Sequence, residues 1–259
     1  MRGKNAIVTG GNGAIGRAIA LNLAHAGCNV AVIDLACADD VCAAIAATGN
    51  YAAAVTADLS NPAAARAAIA SATEALGGFD ILVNAAGIVS AGSFAKLAGA
   101  EWDRVLATNL TSVFTCCQAA IAPLRQRQLD NSGECGGRII NIGSVLAKNG
   151  GNARPWIDPA EQDRSGNVAY AVSKAGVHTL TSYLARELAA DGITVNAVAP
   201  GPIATAMTTS FPEALKSLIP AGRMGTAADV AAVVAFLAGA GAAYVTGEII
   251  DVNGGLWSD

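Results

Sequence analysis

An apolar run, Ala6-Ile7-Val8-Thr9, stops at Gly10-Gly11-Asn12-Gly13-Ala14-Ile15-Gly16, and an amphipathic segment from Arg17 to Ala26 follows at once. Strand, glycine turn and helix in that order open a βα unit and leave the chain few architectures to choose from. Such a turn lets backbone N–H groups approach an anion at the positive end of a helix dipole. Two registers fit a pyrophosphate: Gly11-x-Gly13-x-x-Gly16, or Gly10 followed by three residues and then Ala14-Ile15-Gly16. The plainer reading of either is a tight βα turn.

The same alternation continues to the end. Strands are expected near 4–9, 29–34, 51–57, 79–84, 138–143, 193–198 and 248–252. Helices are expected near 14–26, 39–48, 62–76, 100–128, 168–190 and 227–239, with Ser60-Asn61-Pro62 marking one helix start. Alternating elements imply a doubly wound α/β fold, a parallel sheet of about seven strands covered on both faces. No linker or internal repeat divides residues 1–259, so one domain is expected. Its ligands should bind beyond the carboxyl ends of the strands.

Two features bear on chemistry. The second strand ends at Asp34, 18 residues past Gly16. A carboxylate there accepts hydrogen bonds from an adenosine ribose and repels a 2′-phosphate, and no Arg or Lys follows it. NAD is therefore expected ahead of NADP. Farther on, Tyr170 and Lys174 stand four residues apart in a helical stretch from Val168 to Leu188, on one face. An ordinary phenol, with a pKa of about 10, is too weak an acid for proton transfer near neutrality. A fixed ammonium beside it is expected to pull that value down and make a general acid/base.

These motifs together resemble the short-chain dehydrogenase/reductase family along nearly the whole chain, which implies a Rossmann-type domain. Thr9 to Gly16 is similar to the family's nucleotide loop, with Ala14 where glycine is commoner. Asp58-Leu59 follows the third strand, where the family meets the adenine edge. Asn84-Ala85-Ala86-Gly87 resembles its structural Asn-Ala-Gly turn. Asn109, Ser144, Tyr170 and Lys174 match its four catalytic positions. Pro200-Gly201-Pro202-Ile203-Ala204-Thr205 is similar to the segment that holds the nicotinamide amide, and Val245 to Gly255 resembles the last strand. The resemblance implies that Tyr170 exchanges a proton with a substrate hydroxyl as hydride passes between the same carbon and the cofactor. Ser144 would hydrogen-bond the substrate oxygen, Lys174 would bind the nicotinamide ribose, and Asn109 would hold a relay water.

Ser144 and Tyr170 are 26 residues apart, a wider gap than the family's usual one. The extra segment, 149–167, is rich in turn formers and carries Arg154 and Trp156. It reads either as a lid beside the active site or as a surface insertion packed on another subunit. Ser165 is nearer Tyr170 in sequence, but Ser144 is preferred because it follows a strand directly. A second segment, 205–221, places Met207, Phe211, Leu215, Leu218 and Ile219 at helical spacing, either to close over substrate or as ordinary core.

Composition sets the remaining bounds. Hydrophobic residues make up 53% and charged residues 14%, which suggests surface buried between subunits; by resemblance a homotetramer is expected. No apolar run reaches the length of about 18 residues that marks a membrane span, and the first strand starts within about five residues of Met1, so a cytoplasmic chain is expected. Net charge is −4 with no basic tract, so no nucleic-acid partner is expected. The six cysteines read as free, mostly buried thiols and no metal site is expected. His178, one turn beyond Lys174, could approach the pocket, but the favoured reading is an ordinary helical residue. The implied substrate is a secondary alcohol or its ketone: a sugar, polyol or hydroxy acid. The alternatives are a β-ketoacyl thioester reductase using NADPH, with Arg125, Arg127 and Arg186 as a carrier-protein patch, and a non-catalytic nucleotide sensor.

Overall fold

Seven parallel strands form one sheet in the order β3-β2-β1-β4-β5-β6-β7 in the computed structural model. The structure describes residues 1–90, 92–130, 136–151, 160, 166–205, 208 and 213–258. The strands are β1 (Asn5–Thr9), β2 (Asn29–Asp34), β3 (Ala52–Thr56), β4 (Ile81–Asn84), β5 (Arg138–Ile142), β6 (Thr194–Pro200) and β7 (Ile249–Val252). Between them run α1 (Ala14–His25), α2 (Asp39–Ala46), α3 (Pro62–Leu76), α4 (Gly99–Leu106), α5 (Ser112–Asp130), α6 (Leu146–Asn149), α7 (Val168–Leu188), α8 (Glu213–Lys216) and α9 (Ala227–Ala238).

Neighbouring side chains on a strand point to opposite faces, and here both faces are covered. Val8, Val32, Val83 and Ile140 pack against Ile19 and Leu23 of α1, Val41 of α2 and Val234 of α9. Ile7, Ile33, Leu82 and Ile139 pack against Ile69 of α3, Leu124 of α5 and Leu184 of α7. This double burial is why the strands read as unbroken apolar runs. Asn61 caps α3, its side chain accepting from the amides of Ala63 and Ala64, with Pro62 in the first turn.

The stretch expected as one helix over 100–128 is interrupted. Between α4 and α5 lies a π-helical turn, Ala107–Thr111, with Asn109 buried at its centre. By length and composition Gly99–Arg127 could cross a bilayer, but its apolar side is spent on the core beside α3 and α7. The helix expected over 168–190 ends at Leu188 and tightens into a 3₁₀ turn at Ala189–Asp191. Most of 149–167 lies outside the described residues, including Arg154, Trp156 and Ser165, as do Met207 and Phe211. Leu215 and Ile219 are core, whereas Leu218 is exposed.

Candidate active site

The order of the sheet reverses between β1 and β4, and a cavity of about 790 Å³ opens there, at the carboxyl ends of the strands. Gly10, Asn12, Gly13, Ala14, Ile15 and Gly16 form one wall, and Asp34, Asp58 and Leu59 continue it. Gly10 has φ +68°, and a Cβ there would stand 2.6 Å from the Ala86 Cα. A Cβ on Gly16 would collide with the Gly10 carbonyl, while Gly11 faces away onto Val32. The second of the two glycine registers is therefore the one the fold uses. Gly13 precedes α1 and no side chain caps that helix, so the first-turn N–H groups remain for an anion. A dinucleotide fits these residues.

Asp34 holds this wall together. Its Oδ2 accepts from the Asn12 amide at 2.9 Å, and the Asn12 side chain donates to the carbonyls of Ala36 and Cys37. Asp58 folds its own turn by accepting from the Ser60 amide and hydroxyl. Thr9 ties β1 to the turn after β4 by accepting from the amides of Ala85 and Ala86. Ala85 and Gly87 reach the cavity, but Asn84 is buried in the sheet and donates to Asn141.

Tyr170 and Lys174 both line the far wall, one turn apart on α7. Ser144, just past β5, is buried beside the Tyr170 phenol and accepts from the Leu146 amide at 3.2 Å. The Lys174 ammonium donates to the Ile142 carbonyl at 2.7 Å and lies 5.8 Å from the centre of the Tyr170 ring. A Cβ on Gly87 would come within 3.4 Å of Lys174 Nζ and of Asn109 Oδ1, so this turn passes close because it is glycine. Asn109 does not reach the cavity. Its side chain accepts from the Ile88 amide and donates to the Ile88 carbonyl and the Ser173 hydroxyl, clamping the loop after β4 to α7.

The electrostatics correct one expectation. Burial pushes the Tyr170 phenol above its ordinary value, opposed by the Ser144 hydroxyl beside it. Burial likewise pulls Lys174 down to about 8. Lys174 was expected to lower Tyr170, but its ammonium is directed at the Ile142 carbonyl and both groups share one desolvated recess, so desolvation prevails.

The Pro200–Thr205 segment divides. Pro200 ends β6, Gly201 packs on Asn253 and Ile203 is buried, so of the site residues expected there only Thr205 lines the cavity. His178 is not the plain helical residue expected, because its Nε2 accepts from the Ser144 amide at 3.4 Å. Sequence reasoning also missed Leu35, Arg104 and Thr108, which line the cavity. Leu35 follows Asp34 directly, but only the fold brings Arg104 and Thr108 across the sheet.

The sequence model described as enoyl-(acyl carrier protein) reductase matches residues 11–257. A short-chain dehydrogenase/reductase from Serratia marcescens has a solved structure 36% identical, with a TM-score of 0.86 and 99% of each chain covered. The chain belongs to the short-chain dehydrogenase/reductase family. As a member it is a nicotinamide-dependent oxidoreductase. The 3-oxoacyl-[acyl-carrier-protein] reductase FabG of Staphylococcus aureus is 40% identical, with 98% of each chain covered. An Agrobacterium tumefaciens protein, provisionally named a 2-deoxy-D-gluconate 3-dehydrogenase and solved with NADP bound, is 36% identical with a TM-score of 0.85, the match covering 99% of this chain and 97% of that one.

Proposed function

We propose that this enzyme interconverts a 3-hydroxyacyl compound and its 3-oxo counterpart. One observation carries the reading: Tyr170, with Ser144 beside its phenol, and Lys174 face an uncapped helix N-terminus and its glycine turn across one cavity. A bound nicotinamide dinucleotide supplies the hydride acceptor in oxidation and the donor in reduction. Tyr170 delivers a proton to the carbonyl oxygen in reduction and takes it back in oxidation. Ser144 hydrogen-bonds that oxygen and fixes its distance from the phenol. Lys174 holds positive charge beside the reacting oxygen and binds the nicotinamide ribose, and Asn109 supports the site from behind by clamping the loop after β4 to the helix that carries both Tyr170 and Lys174. The relatives' names support carbon 3: a 3-oxoacyl thioester and a 3-oxo sugar acid both carry the reacting oxygen on the third carbon from a carboxyl group.

The cofactor in this reading is NAD(H). Asp34 presents a carboxylate at the adenosine end, and Asn12, Leu35, Ala36 and Cys37 beside it add no positive charge. Of the three arginines expected as a carrier-protein patch, Arg125 is paired with Asp191 at 2.6 Å and Arg127 with Asp80 at 3.4 Å, while Arg186 is exposed. With two of the three charges already paired, a small free acid or thioester is the favoured substrate. The enzyme works as a cytoplasmic homotetramer. A second reading, reduction of a carrier-bound 3-oxoacyl thioester with NADPH, is favoured by the 40% identity to FabG. Absorbance at 340 nm separates them when free 3-hydroxy acids, sugar acids, polyols and 3-oxoacyl thioesters are each supplied with both cofactors. NADH-linked turnover of small 3-oxo compounds is expected. Turnover confined to NADPH and carrier-bound thioester establishes the second reading, and turnover of polyols alone defeats both.

A further inference from the structure

We propose that His178 is a positioning residue that seats Ser144 through its backbone amide. The inference rests on the reading of Ser144 as the residue that binds the substrate oxygen. Past the end of β5 the chain stays partly on the ladder of β6: the Gly143 amide donates to the Val198 carbonyl at 2.8 Å and the Val145 amide to the Pro200 carbonyl at 2.9 Å. The intervening amide, that of Ser144, points to the other side, where β4 has already ended at Asn84. There the His178 ring supplies the acceptor, Nε2, at 3.4 Å. An acceptor at Nε2 requires the neutral tautomer with its proton on Nδ1.

The ring sits directly on this stretch of main chain. A Cβ on Gly143 would collide with Nε2 and lie 2.6 Å from Cδ2. Glycine at 143 and histidine at 178 are thus one fitting, contributed by β5's extension and by α7. The same helix carries Tyr170 and Lys174, so a single rigid element sets both partners of the reacting oxygen. The Ser144 hydroxyl itself is aligned by the Leu146 amide, which leaves the backbone position as what His178 fixes.

The test compares His178→Leu, His178→Gln, Gly143→Ala and Ser144→Ala by kcat, KM, cofactor titration and melting temperature. Small misplacement of a reacting group costs up to about 100-fold in rate. His178→Leu should therefore lower kcat roughly 10- to 100-fold, with the cofactor dissociation constant unchanged. Gln presents an acceptor oxygen near the same place and should restore most of kcat, whereas Gly143→Ala, which evicts the ring, should reproduce the loss. Full kcat in His178→Leu, or equal loss in folded Leu and Gln variants, overturns the proposal. If the Leu variant does not fold, His178→Asn replaces it: its shorter side chain stops short of the amide, so a full kcat there overturns the proposal too. Ser144→Ala should be inactive. Activity in that variant sinks the reading of Ser144 itself, while an inactive Ser144→Ala beside an unimpaired His178→Leu sinks only the role given to His178.

Discussion

Burial drives both Tyr170 and Lys174 towards their neutral forms, the phenol upward and the ammonium down to about 8. For the lysine this burial costs stability, and the cost depends on pH. Its ordinary value is 10.5, so below pH 8 it is charged in both folded and unfolded chains, and the burial cost, on the order of 3 kcal/mol, is fully present. Between about 8 and 10.5 the unfolded chain binds more protons, so this cost fades and stability rises with pH. Lys174→Met removes the charge but leaves the Ile142 carbonyl without its donor, a loss of about 1 kcal/mol. The cofactor-free variant should therefore be more stable than its parent by roughly 2 kcal/mol at pH 7, and the gain should shrink towards pH 10. Urea unfolding of the pair at both pH values measures the difference, and turnover should be lost at each. Tyr170→Phe makes the complementary case: titration should show cofactor binding preserved, while rates fall to no more than a few per cent of the parent's.

At the scale of the element, the β1–α1 turn was legible because its constraints are local. Gly10, Gly13 and Gly16 fall within seven residues, and spacing alone narrowed the turn to two registers. Choosing between them needed the fold, since what excludes a side chain at Gly10 is Ala86 from the turn after β4. Gly16 is the stricter test, because the Gly10 carbonyl occupies the place its Cβ would take. Gly16→Ala must push α1 away from the strand end, and overpacking of this kind costs about 1–3 kcal/mol. We expect a lower melting temperature and cofactor binding weakened at least tenfold by fluorescence titration; wild-type affinity would count against pyrophosphate at this turn. The π-helical turn was not legible. One extra residue in a turn leaves hydrophobic periodicity almost unchanged, and the bonds that hold Asn109 run to Ile88 and Ser173, far off in sequence. The histidine behind Ser144 was hidden for the same reason, since its partner lies 34 residues away.

For the molecule as a whole, the parallel sheet followed from alternation, and the cavity stands at the strand ends where the motifs placed it. What alternation does not report is which outer faces stay uncovered. Phe114 of α5 and Val172 and Tyr183 of α7 are exposed, Tyr183 to 68%. Leu110, Phe114, Leu180 and Tyr183 line a shallow, largely apolar recess between these helices. Gly176 makes it possible, since a Cβ there would press within 2.7 Å of the Leu110 side chain. Contiguous apolar surface of this kind is costly to leave in water, and the proposed assembly would bury it by pairing these helices with the same helices of a second copy across a twofold axis. A tetramer needs a further contact, and Phe236 and Tyr244, at and beyond the end of α9, offer exposed aromatic rings away from the first face. Light scattering should therefore return four times the chain mass. Tyr183→Glu combined with Phe114→Glu places charge in the first interface only, so the tetramer should fall to dimers held by the second. A parent that runs as a monomer removes the assembly altogether, and a double variant that remains tetrameric moves the interface off α5 and α7.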